Sequence, residues 1–182
     1  MKTKNFEEKI EIPQGVEVKV DKGMVTVSQG NKVLTRNLNH KKILIEATKE
    51  DITFKYQNGT KREKTSCGTF KAHVKNMFKG ITQGHTYKLK ICSGHFPMSV
   101  TINNGKFVVN NFLGEKTPRE IKLKEGAQVK LDGDLVTVEG IDKELVSQTA
   151  ADIELLTRIK GRDLRIFQDG IYIINKDGKE IS

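Results

Sequence analysis

Arg162 and Arg165 stand three residues apart in RDLRIFQDGIYI, residues 162–173. A guanidinium is a flat fork of donors, suited to bidentate contact with a phosphate or to stacking on a base. Lys160 and Gly161 come immediately before the pair, where a helical pattern stops. Leu164, Ile166 and Phe167 read as apolar anchors, and Asp169-Gly170 turns the chain into the strand IYII. The pattern predicts a basic loop held between a helix and a strand; a salt-bridged surface loop would have the same composition. A second stretch, NFLGEKTPRE at 111–120, places Gly114 and Pro118 in a loop with Lys116 and Arg119. Glycine permits close backbone approach, and the two cations are within reach of phosphates. The plainer reading is a hairpin tip with incidental charge.

Other candidates are weaker. His95 precedes Phe96-Pro97, a conformationally restricted place. It reads either as a turn residue bonded to backbone or as a polyanion contact. Lys71, Lys75 and Lys79 recur every four residues along a helical pattern, as an RNA-facing stripe or as a solvated face. Catalysis has no such support. His73 lies within the same helix pattern and reads as a packing residue. No serine elbow or glycine-rich phosphate loop is present, and Asp132 and Asp134 flank an ordinary glycine turn. Cys67 and Cys92 form no CxxC and, with the histidines, have no zinc-ligand spacing. No catalytic residue, metal or cofactor is expected, and the cysteines read as reduced packing residues.

The elements that position these residues follow from periodicity. VEVKV, MVTVS, KILIEA and ITFKY alternate as strands. In TFKAHVKNMFKGIT the period changes, and Phe70, Val74, Met77, Phe78 and Ile81 trace one face of a helix, with Gly80 and Gly84 as stops. The second half repeats the order: TYKLKI, MSVTI, KFVVN, REIKL, AQVKL and LVTVEG, then a helix through DKELVSQTAADIELLTRIK that Lys160-Gly161 ends. A shift of about 80 residues lays one half on the other. The expected class is α+β, a tandem duplication of a small antiparallel sheet covered by one helix. The expected domains are 1–84 and 85–182.

Charge points to the partner. The 182 residues carry a net +9, with +10 on residues 1–90 and −1 on residues 91–182. Such a balance favours a polyanion, nucleic acid or an anionic membrane surface. No apolar run approaches the ~20 residues of a membrane span, and the segment MKTKNFEEKIEIP lacks the apolar stretch of a signal peptide. The expectation is a soluble intracellular protein with no membrane partner. The competing classes are a protein-interaction module that docks through strand edges and a small enzyme acting on an anionic substrate.

Four blocks in order, HVKNMFKGITQGHTYKLK (73–90), HFPMSV (95–100), NFLGEK (111–116) and RIFQDGIYI (165–173), together with the start MKT, resemble one family. It is the archaeal and eukaryotic branch of ribosomal large-subunit protein six, protein nine in older eukaryotic naming. The resemblance implies two similar α+β domains, the second making the main rRNA contact, and a cytoplasmic protein of the large ribosomal subunit with no reaction of its own. It implies binding to large-subunit rRNA at the sarcin–ricin loop region and the stalk base, near the site of translational GTPases and beside neighbouring ribosomal proteins. Carried onto this chain, the contact residues are Lys160, Gly161, Arg162 and Arg165, with Gly114, Lys116 and Arg119.

Overall fold

The computed structural model describes residues 5–181; the opening MKT and Ser182 lie outside the described residues. The chain forms two units, Met1–Gln83 and Gly84–Ser182.

In the first unit, β1 (Phe6–Glu11), β2 (Glu17–Asp21), β3 (Met24–Gln29), β4 (Lys32–Asn37), β5 (Leu44–Ala47) and β6 (Asp51–Tyr56) precede α1 (Lys61–Thr82). The strands make two antiparallel sheets, in the orders β2-β3-β4 and β1-β6-β5. Strand alternation sends Val25 and Val27 of β3 and Ile52 and Phe54 of β6 into one core with Val74, Met77, Phe78 and Ile81 of α1. The β2–β3 connection is Lys22-Gly23, with φ of 47° and 84°. Two successive positive φ values match the twist of a hairpin. Any side chain at Gly23 would also put its Cβ 2.7 Å from Asn39 Cα.

The second unit repeats this plan. β7 (His85–Cys92), β8 (Ser99–Asn103), β9 (Lys106–Asn110), β10 (Arg119–Lys122), β11 (Ala127–Asp132) and β12 (Leu135–Gly140) precede α2 (Lys143–Leu156). The order β10-β9-β8 mirrors the first unit's β4-β3-β2, and β11-β12-β7 mirrors β5-β6-β1. What the second unit adds is β13 (Gly170–Lys176) and β14 (Lys179–Glu180), which extend the sheet beyond β7. Leu89, Phe107, Val109, Val136, Val138 and Ile153 are fully buried in its core.

The α+β class and the sheet-plus-helix duplication hold, with differences in detail. Each unit contains two sheets, not one, and the first gains β1 and β4. α1 begins two turns before the expected stretch. Its start is a capping box: the Thr60 hydroxyl accepts from Arg62 N, and Glu63 Oε2 accepts from Thr60 N at 2.6 Å and from the Thr60 hydroxyl. Gly80 is a buried residue inside the helix, and Phe70 is half-buried, not buried. α2 stops at Leu156, short of Lys160-Gly161.

The early stop has a physical cause. The Thr157 hydroxyl accepts from Ile171 N at 2.9 Å, and Glu154 Oε1 accepts from Ile173 N at 3.0 Å. Side chains at the end of α2 thus satisfy backbone donors of β13. This tie turns the chain out of the helix one turn early, and the rest of the expected helix becomes loop.

Candidate nucleic-acid interface

Three loops of the second unit are bonded to one another: 93–98 after β7, 111–118 after β9, and 157–169 after α2. Most of the candidate residues lie on them. Lys116, Lys160, Gly161, Arg162 and Arg165 are exposed, as are His95 and Gly114.

The first and second loops meet through Asn111, whose Nδ2 donates to the Pro97 carbonyl at 2.9 Å. Asn111, Leu113 and Gly114 all have positive φ, at 57°, 49° and 78°. Non-glycine residues adopt that region at a cost, and the Asn111 bond offsets part of it. Gly114 has a further reason to be glycine. A Cβ there would lie 3.3 Å from the ring of Phe96.

Arg119 joins the second loop to the third. Its guanidinium forks onto Glu115, with Nε–Oε2 at 2.7 Å and Nη2–Oε1 at 2.5 Å, and its Nη1 donates to the Leu156 carbonyl at 2.8 Å. It also lies 4.2 Å from the centre of the buried Phe112 ring. The Arg119 hydrogen bond, with the charges of Arg119 and Arg162, holds the Glu115 carboxyl below its ordinary range, outweighing a small desolvation cost. Sequence reasoning makes Arg119 a phosphate contact; here its donors are committed within the protein, closing the end of α2 where carbonyls lack helical partners.

The third loop is tied to the first by Asp169, which is buried. Its Oδ1 accepts from Gly94 N at 2.6 Å and His95 N at 2.9 Å, and its Oδ2 lies 2.7 Å from His95 Nδ1. Burial works against the charged carboxylate, but the His95 backbone N–H, the imidazole and the Gly94 N–H outweigh it, so the carboxyl is held below its ordinary value. Read from sequence as a turn residue, Asp169 is the clasp of the site. A buried aspartate beside a strand start carries no periodicity signal.

Leu164 and Ile166 are not the anchors expected of them. Each is 63% exposed. The loop is held instead by buried Ile159, half-buried Phe167 and Asp169. Between them Asp163 builds a turn, accepting Phe167 N on its carbonyl and Arg165 N on its side chain, both at 2.9 Å. Asp163 also pairs with the Arg165 guanidinium, at 2.9 and 3.2 Å. Arg162 takes another arrangement: its guanidinium carbon is 4.8 Å from the centre of the Phe167 ring. Leu155, Ile159, Leu164, Ile166 and Tyr172 line an open cleft of about 980 Å³ alongside.

The helix lysines belong to the first unit. Lys71 is ion-paired with Glu8, Lys75 is exposed, and Lys79 is half-buried. Cys67 is buried in the first core and Cys92 half-buried in the second unit, both as free thiols. Among the described residues no helix is long and apolar enough to cross a membrane, and there is no metal-binding cluster.

The arrangement is an internally bonded, cation-rimmed surface with the Arg162 guanidinium laid on the Phe167 ring, chemically able to neutralise phosphates and contact bases. The family model for ribosomal protein L6 matches twice, at residues 12–84 and 96–170. The chain is 47% identical over 172 residues to the large ribosomal subunit protein uL6 of Methanococcus vannielii, covering 94% of each chain. It is 44% identical over 170 residues to that of Methanobrevibacter smithii, covering 93% of this chain and 96% of the other. With the uL6 of Methanosphaera stadtmanae the identity is 42% over 182 residues, covering 100% and 99%.

Proposed function

The chain belongs to the archaeal branch of the ribosomal protein L6 family, and from that premise we propose that its second unit anchors it to large-subunit rRNA at the sarcin–ricin loop region and stalk base. As a member of the family it is a structural protein of the cytoplasmic large subunit and not an enzyme. The anchor is the three-loop surface. Lys116, Lys160, Arg162 and Arg165 meet phosphates there, and Gly114, Gly161 and His95 let the backbone and a ring approach the RNA. Binding through a near-neutral unit is physically sound, because counterion release depends on the cations at the contact and not on net charge. Lys75 and Lys79, in the strongly basic first unit, add a weaker, diffuse attraction.

The observation that carries this reading is the bonding of the three loops to one another. Asp169, Arg119 and Asn111 hold them before any RNA arrives, so little ordering entropy remains to be lost on binding. Held in that way, the loops brace an rRNA fold beside the translational GTPase site. Exposed Leu155, Leu164 and Ile166 next to the same loop favour a neighbouring protein of the subunit on the adjoining face.

Sucrose-gradient sedimentation and hydroxyl-radical footprinting test it together. The protein should run with the large subunit and leave it only at high salt, and should protect the sarcin–ricin region and stalk base. Co-sedimentation with protection confined to other rRNA would remove the proposed location. Free sedimentation at low salt would remove the role.

A further inference from the structure

Within the three-loop surface the groups around Phe167 are arranged for more than phosphate contact. Arg162 and His95 share its ring: the Arg162 guanidinium carbon is 4.8 Å from the ring centre, and the His95 ring centre is 4.9 Å away, tilted by 33°. Of the three arginines on these loops with a described partner or ring, Arg119 is forked onto Glu115 and Arg165 onto Asp163. Arg162 differs from both: it lies over the Phe167 face without a carboxylate fork, which fixes its plane and leaves its donors without a hydrogen-bonded carboxylate among the described residues.

His95 adds a directional argument. Its Nδ1 faces Asp169, whose Oδ1 is already filled by two backbone N–H groups. Asp169 is an acceptor, so in the neutral ring the proton sits on Nδ1 and Nε2 is a bare acceptor. A bare acceptor repels a phosphate oxygen. It suits an amino group of a base or a ribose 2′-hydroxyl.

We propose that Arg162, Phe167 and His95 form a seat for a single unpaired purine of rRNA, stacked on the Arg162 guanidinium plane with an amino or 2′-hydroxyl group on His95 Nε2. This rests on the rRNA-binding reading and sharpens it: the loop reads an extruded base as well as the backbone. Phe167 is the positioning residue, since it holds both the guanidinium and the imidazole in place.

Full-length protein titrated against two RNA hairpins of equal length tests the seat. One carries 2-aminopurine unpaired in a large-subunit rRNA loop sequence; in the other, that position is closed by pairing. Wild type should prefer the unpaired RNA by about tenfold, the scale of one stacked base, and should quench its fluorescence. Arg162→Lys keeps the charge and removes the plane. It should abolish the preference and the quenching while leaving the salt dependence, which counts charges, unchanged. Phe167→Leu, with folding verified by thermal unfolding, should do the same. If Arg162→Lys retains both preference and quenching, the guanidinium acts as a charge alone and the seat is refuted. If wild type binds both hairpins equally with normal salt dependence, the rRNA reading stands and the seat falls. If wild type binds neither, both fall.

Discussion

The Arg119 guanidinium donates to the Leu156 carbonyl at 2.8 Å, across 37 residues of sequence. One bond thereby fastens the loop after β9 to the end of α2, and Glu115 holds the guanidinium in line by accepting two more. Arg119→Ala should lower stability by about 1–2 kcal/mol, a charged hydrogen bond discounted for partial exposure. Arg119→Gln should leave the salt dependence of RNA binding unchanged, because this cation is spent inside the protein. Denaturant unfolding and RNA titrations at several salt concentrations measure the two effects, and a flatter salt slope in Arg119→Gln would return it to the phosphate contacts.

The cations that face outward should behave differently. If Lys116, Lys160, Arg162 and Arg165 each neutralise one phosphate, log affinity should fall with log salt at a slope of about −3 to −4. Changing Arg162 and Arg165 together to Gln should flatten it by about 1.5–2. Lys75→Gln with Lys79→Gln should weaken incorporation into large subunits only mildly. Should the lysine pair prove decisive and the arginine pair neutral, the anchor lies on the first unit.

Asp169→Asn should leave every surface cation in place and still reduce RNA affinity. The amide keeps one acceptor but loses the charge that two N–H groups and the His95 imidazole share. Faster amide exchange at Gly94 and His95 should accompany the loss. Unchanged exchange together with reduced affinity would mean that Asp169 does not act by holding the loops.

The capping box of α1 gives a pH dependence with a definite sign. The Thr60 hydroxyl first, then the Thr60 N–H, lowers the Glu63 carboxyl from 4.5 to about 2. A carboxyl depressed in the folded state contributes stability that is fully present above 4.5 and is lost as pH falls through about 2. Thr60→Val should cost about 1 kcal/mol at neutral pH, as for a lost N-cap, and should weaken the acid dependence in that window. Unfolding midpoints measured between pH 2 and 5 compare the two proteins.

Phe78 is 5% exposed in the first core. Phe78→Ala should cost about 3–5 kcal/mol, read from denaturant unfolding. A loss under about 1 kcal/mol would contradict the packing of α1.

What the sequence determines by itself is what repeats locally. Val25 with Val27 and Phe107 with Val109 alternate inward on β3 and β9, and Val74, Met77, Phe78 and Ile81 keep helical spacing. Periodicity of that kind depends on neighbours a few residues away, so the two halves, their strands and the buried face of α1 are readable without coordinates. The start of α1 was equally local: Thr60 and Glu63 spell a capping box. Tertiary structure alone decided the rest. The Thr157 hydroxyl meets Ile171 N, and α2 ends before its helical pattern does. Asp169 closes on Gly94 and His95, residues more than seventy positions earlier. Leu164 and Ile166, apolar in type, stay exposed because Ile159, Phe167 and Asp169 already hold the loop. Arg119, Arg162 and Arg165 are the same residue in the sequence. The fold turns one inward to a carbonyl, lays one on a ring and pairs one with Asp163, because each guanidinium answers to whatever acceptor or aromatic face long-range contacts bring within a few ångströms.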